Sequence, residues 1–124
     1  MDPHDVHHKL YNADHRLKDP GNGKTITVDR DLAICEMVSA AAETRTLAEP
    51  SKAGIQFVLR MLTDGGDIVV TTTGSFLDGL GKVRPKITFD DAGDFVTLIS
   101  VKTTTSQPGT HRWQIMDRKI ILHA

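Results

Sequence analysis

Three carboxylates crowd into one short stretch of the sequence, where Asp90, Asp91 and Asp94 surround Gly93 between two apolar runs. Carboxylates at close spacing can bind calcium or act as a catalytic acid pair. An EF-hand loop needs a different spacing and a Glu at its twelfth position, which this stretch lacks. A catalytic pair needs a cleft that raises one pKa, whereas Asp beside Gly between two strands is the ordinary composition of a solvated reverse turn. We therefore expect a turn here.

Histidine and cysteine offer two further kinds of chemistry. His4, His7 and His8 would be neighbours on a helix, and imidazole is a common zinc ligand. The preceding Pro3 and the polar surroundings instead predict a mobile segment, which is a poor frame for a functional metal site. Cys35 is the single cysteine, and its apolar neighbours predict a buried, inert thiol. We expect no metal and no cofactor.

Patterns for a nucleophile, a phosphate loop or a sugar platform are also weak. Ser75 follows a glycine but lacks the G-x-S-x-G elbow. The TDGGD stretch at 63–67 lacks the Lys and the following helix of a phosphate-binding loop. Trp113 and Ile115 alternate with Arg112 and Gln114, and this spacing predicts that Trp113 is a core anchor rather than a sugar-stacking ring. The sequence predicts no enzymatic activity.

Composition narrows the choice of partners. The 124 residues carry 15 Lys and Arg against 16 Asp and Glu, for a formal net charge of -1. Such a balance provides no general field that attracts nucleic acid or an anionic membrane, so we expect neither as a partner. The start of the chain lacks the apolar stretch of a secretory signal, and no apolar run reaches the ~20 residues of a membrane helix. We expect a single domain, made in the cytosol.

Residues 1–24 differ in composition from the rest of the chain. They hold four of the six histidines, alternate acidic with basic residues, and end in a cluster of turn formers, DPGNG. Their few apolar side chains cannot offset the entropy that is lost on ordering. The sequence predicts an extended N-terminal arm over residues 1–24 that becomes ordered on a partner, and a β domain over residues 25–124.

Short β-like runs separated by Gly, Pro and Asp fill the chain from Thr25 onward. From residue 55 to 61 apolar side chains recur at every second position and should share one core-facing side. These residues are Ile55, Phe57, Leu59 and Met61.

Turn-forming residues predict how these runs connect. TDGGD at 63–67 separates two β-like runs by a glycine-containing loop, which predicts a hairpin. DDAGD at 90–94 predicts a second hairpin, and Pro108 with Gly109 predicts a third. Residues 95–101 carry apolar side chains on both faces, which is typical of a central strand.

Residues 31–48 fit two structures. Ile34, Met37, Val38 and Ala41 follow the i, i+3, i+4, i+7 spacing of a helical stripe. The same segment also fits a buried strand followed by a second strand at TRTL. We favour the two strands.

Three segments within residues 17–116 resemble a known protein family. The segments are ETRTLAEPSKAG at 43–54, ITFDDAGDFVTLISV at 87–101 and HRWQIM at 111–116. In this order they resemble small bacteriophage virion proteins of the capsid decoration, or cement, type. The resemblance implies a β-sandwich or jelly-roll-like barrel, often trimeric, that lies on the outer capsid surface and has no enzymatic activity. The chain departs from the pattern at 74–87, a stretch that is longer and more basic than expected.

The resemblance leads to a hypothesis about function. A structural virion protein of this kind, made in the host cytoplasm, would bridge subunits of the major capsid protein through a homotrimeric β body and N-terminal arms. In each arm Leu10, Tyr11 and Leu17 would be apolar anchors, and Arg16 would be a polar partner. The alternative is a phage fibre or receptor-binding module whose loop at 74–86 contacts a host glycan.

Overall fold

The structure is a computed structural model that describes residues 15–78, 82–103 and 111–119. The regular elements in these ranges are all β-strands. In chain order they are β1 (Arg16–Leu17), β2 (Lys24–Ile26), β3 (Ala33–Val38), β4 (Glu43–Leu47), β5 (Gln56–Thr63), β6 (Ile68–Leu77), β7 (Val83–Phe89), β8 (Phe95–Lys102) and β9 (His111–Lys119). The predicted mainly β fold is confirmed, and so are the two strands predicted within residues 31–48.

The first six strands alternate between two parallel stacks. β1, β3 and β5 lie side by side in one stack, and β2, β4 and β6 lie side by side in the other. Each consecutive pair of strands therefore forms one turn of a short coil, as in a solenoid. β8 and β9 extend the first stack in the antiparallel sense, and β7 extends the second. Leu77 at the end of β6 pairs with Gln114 of β9, and this contact curls the sheet into a half-barrel.

The predicted hairpin at 63–67 is wrong, because β5 and β6 belong to different stacks and do not pair with each other. The glycines in this loop allow it to pack closely against the loop between β3 and β4, which is the equivalent corner in the preceding turn of the coil. The amide of Gly65 donates to Oγ of Ser39 at 3.0 Å, and that hydroxyl donates to the carbonyl of Gly66 at 2.6 Å. A Cβ on Gly65 would overlap the Ser39 carbonyl, and one on Gly66 would overlap the backbone of Ala41.

The acidic stretch at 90–94 forms the predicted turn but does not join a hairpin, since β7 pairs with β6 while β8 pairs with β5 and β9. The Asp94 carboxylate accepts hydrogen bonds from the backbone amides of Asp90 and Asp91, at 3.0 and 3.1 Å. Gly93 has a φ of 92° and donates its amide to the carbonyl of Met61. Asp94 is buried, so this turn is less solvated than predicted.

The core lies between the two stacks and contains the side chains that alternation assigned to it. Ile55, Phe57, Leu59 and Met61 are all buried, which confirms the predicted core face of β5. Full burial of such a side chain contributes about 1.5–3 kcal/mol.

Four further predictions are confirmed around this core. β8 is a central strand, with β5 on one edge and β9 on the other, and β8 and β9 form a hairpin whose turn lies outside the described residues. Cys35 is buried. Trp113 is fully buried, contacts Phe57 with ring centroids 5.9 Å apart, and donates its indole N–H to the carbonyl of Ala48.

Candidate partner-binding surface

The predicted partner-binding residues fall into two groups. Leu10 and Tyr11 lie outside the described residues. Arg16 and Leu17 form β1, which pairs in parallel with β3. Nη1 of Arg16 lies 3.2 Å from a carboxylate oxygen of Glu36, and Leu17 packs against the core. Both residues are therefore engaged with the chain's own body.

The rest of the described arm also lies against the body. The amide of Gly23 donates to the carbonyl of Thr44, and the amide of Thr44 donates to the side chain of Asn22. Lys24 then begins β2, which pairs with β4. The prediction that the arm becomes ordered on a partner thus concerns residues 1–14, which lie outside the described residues.

An open groove of about 400 Å³ runs beside β1, next to the point where residue 15 enters the described fold. Leu62 contributes apolar surface to it and is 47% exposed. The groove is lined by Arg16, Leu17, Lys18, Asp19, Glu36 and Leu62.

A row of alternating charges crosses the wall of this groove. The Glu36 carboxylate lies between Arg16 on β1 and Arg60 on β5, at 3.2 and 3.1 Å. Because both arginines are partly exposed, each pair contributes little to stability. The row instead fixes the positions of the two guanidinium groups relative to the groove.

A buried ion pair holds Asp19, which lines the groove, in place. Arg45 extends from β4 through the interior, and its side chain is completely buried. Its Nε donates to Oδ1 of Asp19 at 2.6 Å, and its Nη2 donates to Oδ2 at 2.9 Å. The same guanidinium donates to the carbonyl of Val38 at 3.0 Å and lies 3.0 Å from the carboxylate of Glu43. The backbone amide of Val38 donates to Asp19 in turn, so the network joins the first turn of the coil to the second.

The two partners of this ion pair stay charged over a wide pH range. Burial of the Asp19 carboxyl acts to raise its pKa, but hydrogen bonds from Arg45 and from the amides of Val38 and Gly21 outweigh it and lower the pKa below 3.8. The hydrogen bond to Asp19 raises the pKa of Arg45 above its already high value. Groups with these shifts are poor proton donors or acceptors near neutral pH, so the network is structural.

Sequence reasoning missed this ion pair, although one signal was present. Asp19 was interpreted only as part of a turn, and Arg45 only as part of a strand. In β4 the residues alternate in direction, so that Arg45 points to the same side as Leu47. An arginine on a core-facing position requires a carboxylate partner, but the spacing along the chain did not identify which one.

The other candidate residues do not come together as a site. Among the described residues no group of three or more His, Cys, Asp or Glu side chains is placed to hold a metal ion. His4, His7 and His8 lie outside those residues. Burial raises the pKa of the Cys35 thiol to about 12. In the described part of the chain no helix is long and apolar enough to cross a lipid bilayer.

Comparisons with known proteins do not identify a family for this chain. Models of protein families give no match to this sequence, and curated proteins give none either. The resemblance to capsid decoration proteins and the expected lack of enzymatic activity stay predictions.

Proposed function

We propose that this chain is a structural virion protein that decorates and stabilises a phage capsid. It bridges neighbouring subunits of the major capsid protein through a homotrimeric β body and its N-terminal arms, on the outer capsid surface. The observation that carries the proposal is the buried pair of Asp19 and Arg45, which fixes the C-terminal part of the arm to the body.

A fixed starting point makes the arm effective as a tether. β1 and the Asp19–Arg45 pair hold residues 15–26 on the body, so residues 1–14 leave from a defined position. A segment of fourteen residues can span at most about 45–50 Å. In this proposal the arm uses that reach to contact a neighbouring shell subunit.

In this proposal the residues of the arm have two different roles. Leu10 and Tyr11 remain the candidate apolar anchors on the capsid. Arg16 and Leu17 are engaged with Glu36 and the core, so their role in this proposal is to attach the arm to the body.

Several weak arms on one oligomer are sufficient for tight binding. In a trimer, binding of one arm places the other two near their sites at an effective concentration of about 1 mM. Linked sites of this kind can bind 10²–10⁴-fold more tightly than one site alone, roughly, without any new contact. Capsid affinity therefore does not need a large interface on the β body.

Truncation at residue 14 tests the proposal. A protein that begins at residue 15 keeps β1 and Asp19, and we expect it to fold but to lose its attachment to purified shells. Removal of residues 1–24 would be a poorer test, because it leaves Arg45 buried without Asp19. A Leu10→Ala, Tyr11→Ala double variant should weaken attachment, whereas Lys52→Ala, which changes an exposed residue of the body, should not. Full shell occupancy by the truncated protein would refute the role of the arm.

The abundance of the protein in purified virions separates decoration from the alternative. Quantitative peptide mass spectrometry should find it in amounts comparable to the major capsid protein. A few copies per particle would favour a fibre or receptor-binding module, and absence would exclude both. Light scattering on the isolated protein should give the mass of three chains.

A further inference from the structure

Arg112 on β9 has an unusual environment. It lies opposite Val101 of β8, beside the inward-pointing Trp113. Its Nε is shielded from solvent and has no hydrogen-bond partner among the described residues. The guanidinium lies against Gly74, where an added Cβ would be only 3.2 Å from Nε. A shielded donor without an acceptor is uncommon in native proteins and calls for an explanation.

Other arginines that are buried or partly buried have carboxylate partners. Arg45, Arg60 and Arg84 each have a carboxylate oxygen close by, at 2.6, 3.1 and 3.3 Å. For Arg112 no carboxylate of the described residues lies within ion-pairing distance. The sequence from 95 to 116 contains Lys102, His111 and Arg112 but no Asp or Glu. Within the hairpin of β8 and β9, the first carboxylate after Arg112 is Asp117, five residues further along β9.

An irregularity of β6 creates the space that Arg112 occupies. Thr71 pairs with Lys86 and Phe76 pairs with Arg84, so four residues of β6 lie opposite the single residue Pro85. Within this bulge Gly74 has a φ of 81° and Ser75 has a φ of 70°. A positive φ is strained for serine, and retained strain of this kind is found most often at functional sites. The bulge places a residue without a side chain directly against the guanidinium.

Several apolar side chains lie on the same face of the sheet as Arg112. Val101 is its direct neighbour across the hairpin, and Gln114, two residues along β9, pairs with Leu77. Leu77 pairs in turn with Val83, which is 53% exposed. Trp113 is buried, so it offers no open ring on which a sugar could stack. An unpaired arginine in an apolar surface is typical of a protein-binding site.

We propose that Arg112 binds an Asp or Glu carboxylate of a protein partner, which also covers the apolar side chains of Leu77, Val83 and Val101 on the same face of the sheet. Guanidinium groups form paired, charge-assisted hydrogen bonds with carboxylates. Because Nε is already shielded from water, binding removes less hydration than it would at an exposed arginine. This surface lies on β6, β7, β8 and β9, whereas the described part of the arm pairs with β3 and β4. Its test does not depend on any capsid.

The guanidinium NMR signals of the full-length protein provide the test. Sodium acetate serves as the carboxylate probe, with sodium chloride at equal ionic strength as the control. Arg118 on the same strand is exposed and provides an internal comparison. We expect the Arg112 signals to shift with half-saturation at about fivefold lower acetate concentration than the Arg118 signals, because charge-assisted hydrogen bonds are stronger where water is excluded.

Two variants test whether Arg112 causes the acetate-dependent shifts. Arg112→Lys keeps the charge but removes the paired donors, and should abolish the acetate-specific shifts of nearby Gly74 and Val101 amides. Arg118→Lys should leave them unchanged. Equal responses to acetate and chloride, or equal responses of Arg112 and Arg118, would overturn the proposal. Saturation by glucuronate at a concentration severalfold lower than by acetate would also overturn it, since the acid would then belong to a sugar.

Discussion

Asp19 and Arg45 are 26 residues apart in the sequence, and their side chains meet through two hydrogen bonds inside the half-barrel. Asp19 follows β1 in the first turn of the coil, whereas Arg45 belongs to β4 in the second. Since Arg45 is completely buried, its charge cannot be hydrated and depends on Asp19 and Glu43. The pair therefore couples the fold of the body to the attachment of the N-terminal arm.

Replacement of Asp19 by Asn should destabilise the whole domain. Asn keeps the shape but removes the charge that Arg45 requires, and we expect a loss of about 3 kcal/mol, at the low end for a broken buried pair because Glu43 remains. Urea unfolding followed by tryptophan fluorescence measures this loss. Asp29→Asn, which breaks the exposed pair with Arg30, should leave the urea midpoint unchanged. Equal effects of the two substitutions would contradict a structural role for Asp19.

The contribution of the Asp19 charge to the free energy of unfolding should disappear at acid pH. Its pKa in the folded chain lies below the ordinary value of 3.8, so its stabilisation is complete above that pH and is lost as the pH falls through the folded value. The difference in unfolding free energy between the natural protein and Asp19→Asn should therefore be constant from pH 7 to about pH 5 and then shrink below about pH 4. Urea titrations across this range check the trend; a difference at pH 2 that is as large as at pH 7 would contradict it.

Gly66→Ala should disrupt the packing of the coil corners. The new Cβ would overlap the backbone of Ala41 and Ala42, which cannot move without shifting β4. We expect a loss of about 3 kcal/mol, as for a severe case of overpacking. Gly54→Ala is the matched control, because Gly54 has a φ of 88° but open space around it, and strain alone should cost about 1 kcal/mol. Thermal unfolding of both variants measures the contrast, and a larger effect at Gly54 would refute the role assigned to Gly66.

Cys35 should react with thiol reagents only when the domain unfolds. Burial raises its pKa to about 12, so the thiol stays protonated and inaccessible at pH 8. Iodoacetamide labelling followed by mass spectrometry should be at least about a hundredfold slower in buffer than in concentrated urea. A Cys35→Ala, Val38→Cys double variant should label rapidly in buffer, since Val38 is 48% exposed. Fast labelling of the natural protein would show that β3 opens locally.

Local patterns predicted the strands and their buried faces well. On β5 the side chains of Phe57, Leu59 and Met61 point to one side, and those of Val58 and Arg60 point to the other. When one side of a sheet is buried, this two-residue period determines which side chains face the core. β8 was predicted as a central strand because both of its faces are apolar, and it has a neighbour on each edge. The turn at 90–94 followed from the backbone freedom of Gly93 beside carboxylates that can accept its amides.

Local patterns did not predict the connections between strands. The loop at 63–67 has the composition of a hairpin, but its glycines are needed for contact with Ser39 and Ala41 in the neighbouring corner. Glycine at a turn and glycine at a close approach look alike in a sequence. The bulge that places Gly74 against Arg112 was missed for the same reason.

The sequence by itself determined which segments are extended, which side chains enter the core and where the chain turns, because these properties depend on residues close together in the chain. Tertiary structure alone decided the pairing of strands in two parallel stacks, the choice of Asp19 as the partner of Arg45, and the position of Arg112 against Gly74. Each of these contacts joins residues far apart along the chain. Their free energy depends on burial and on the distance between charges, and neither quantity exists until the strands are assembled.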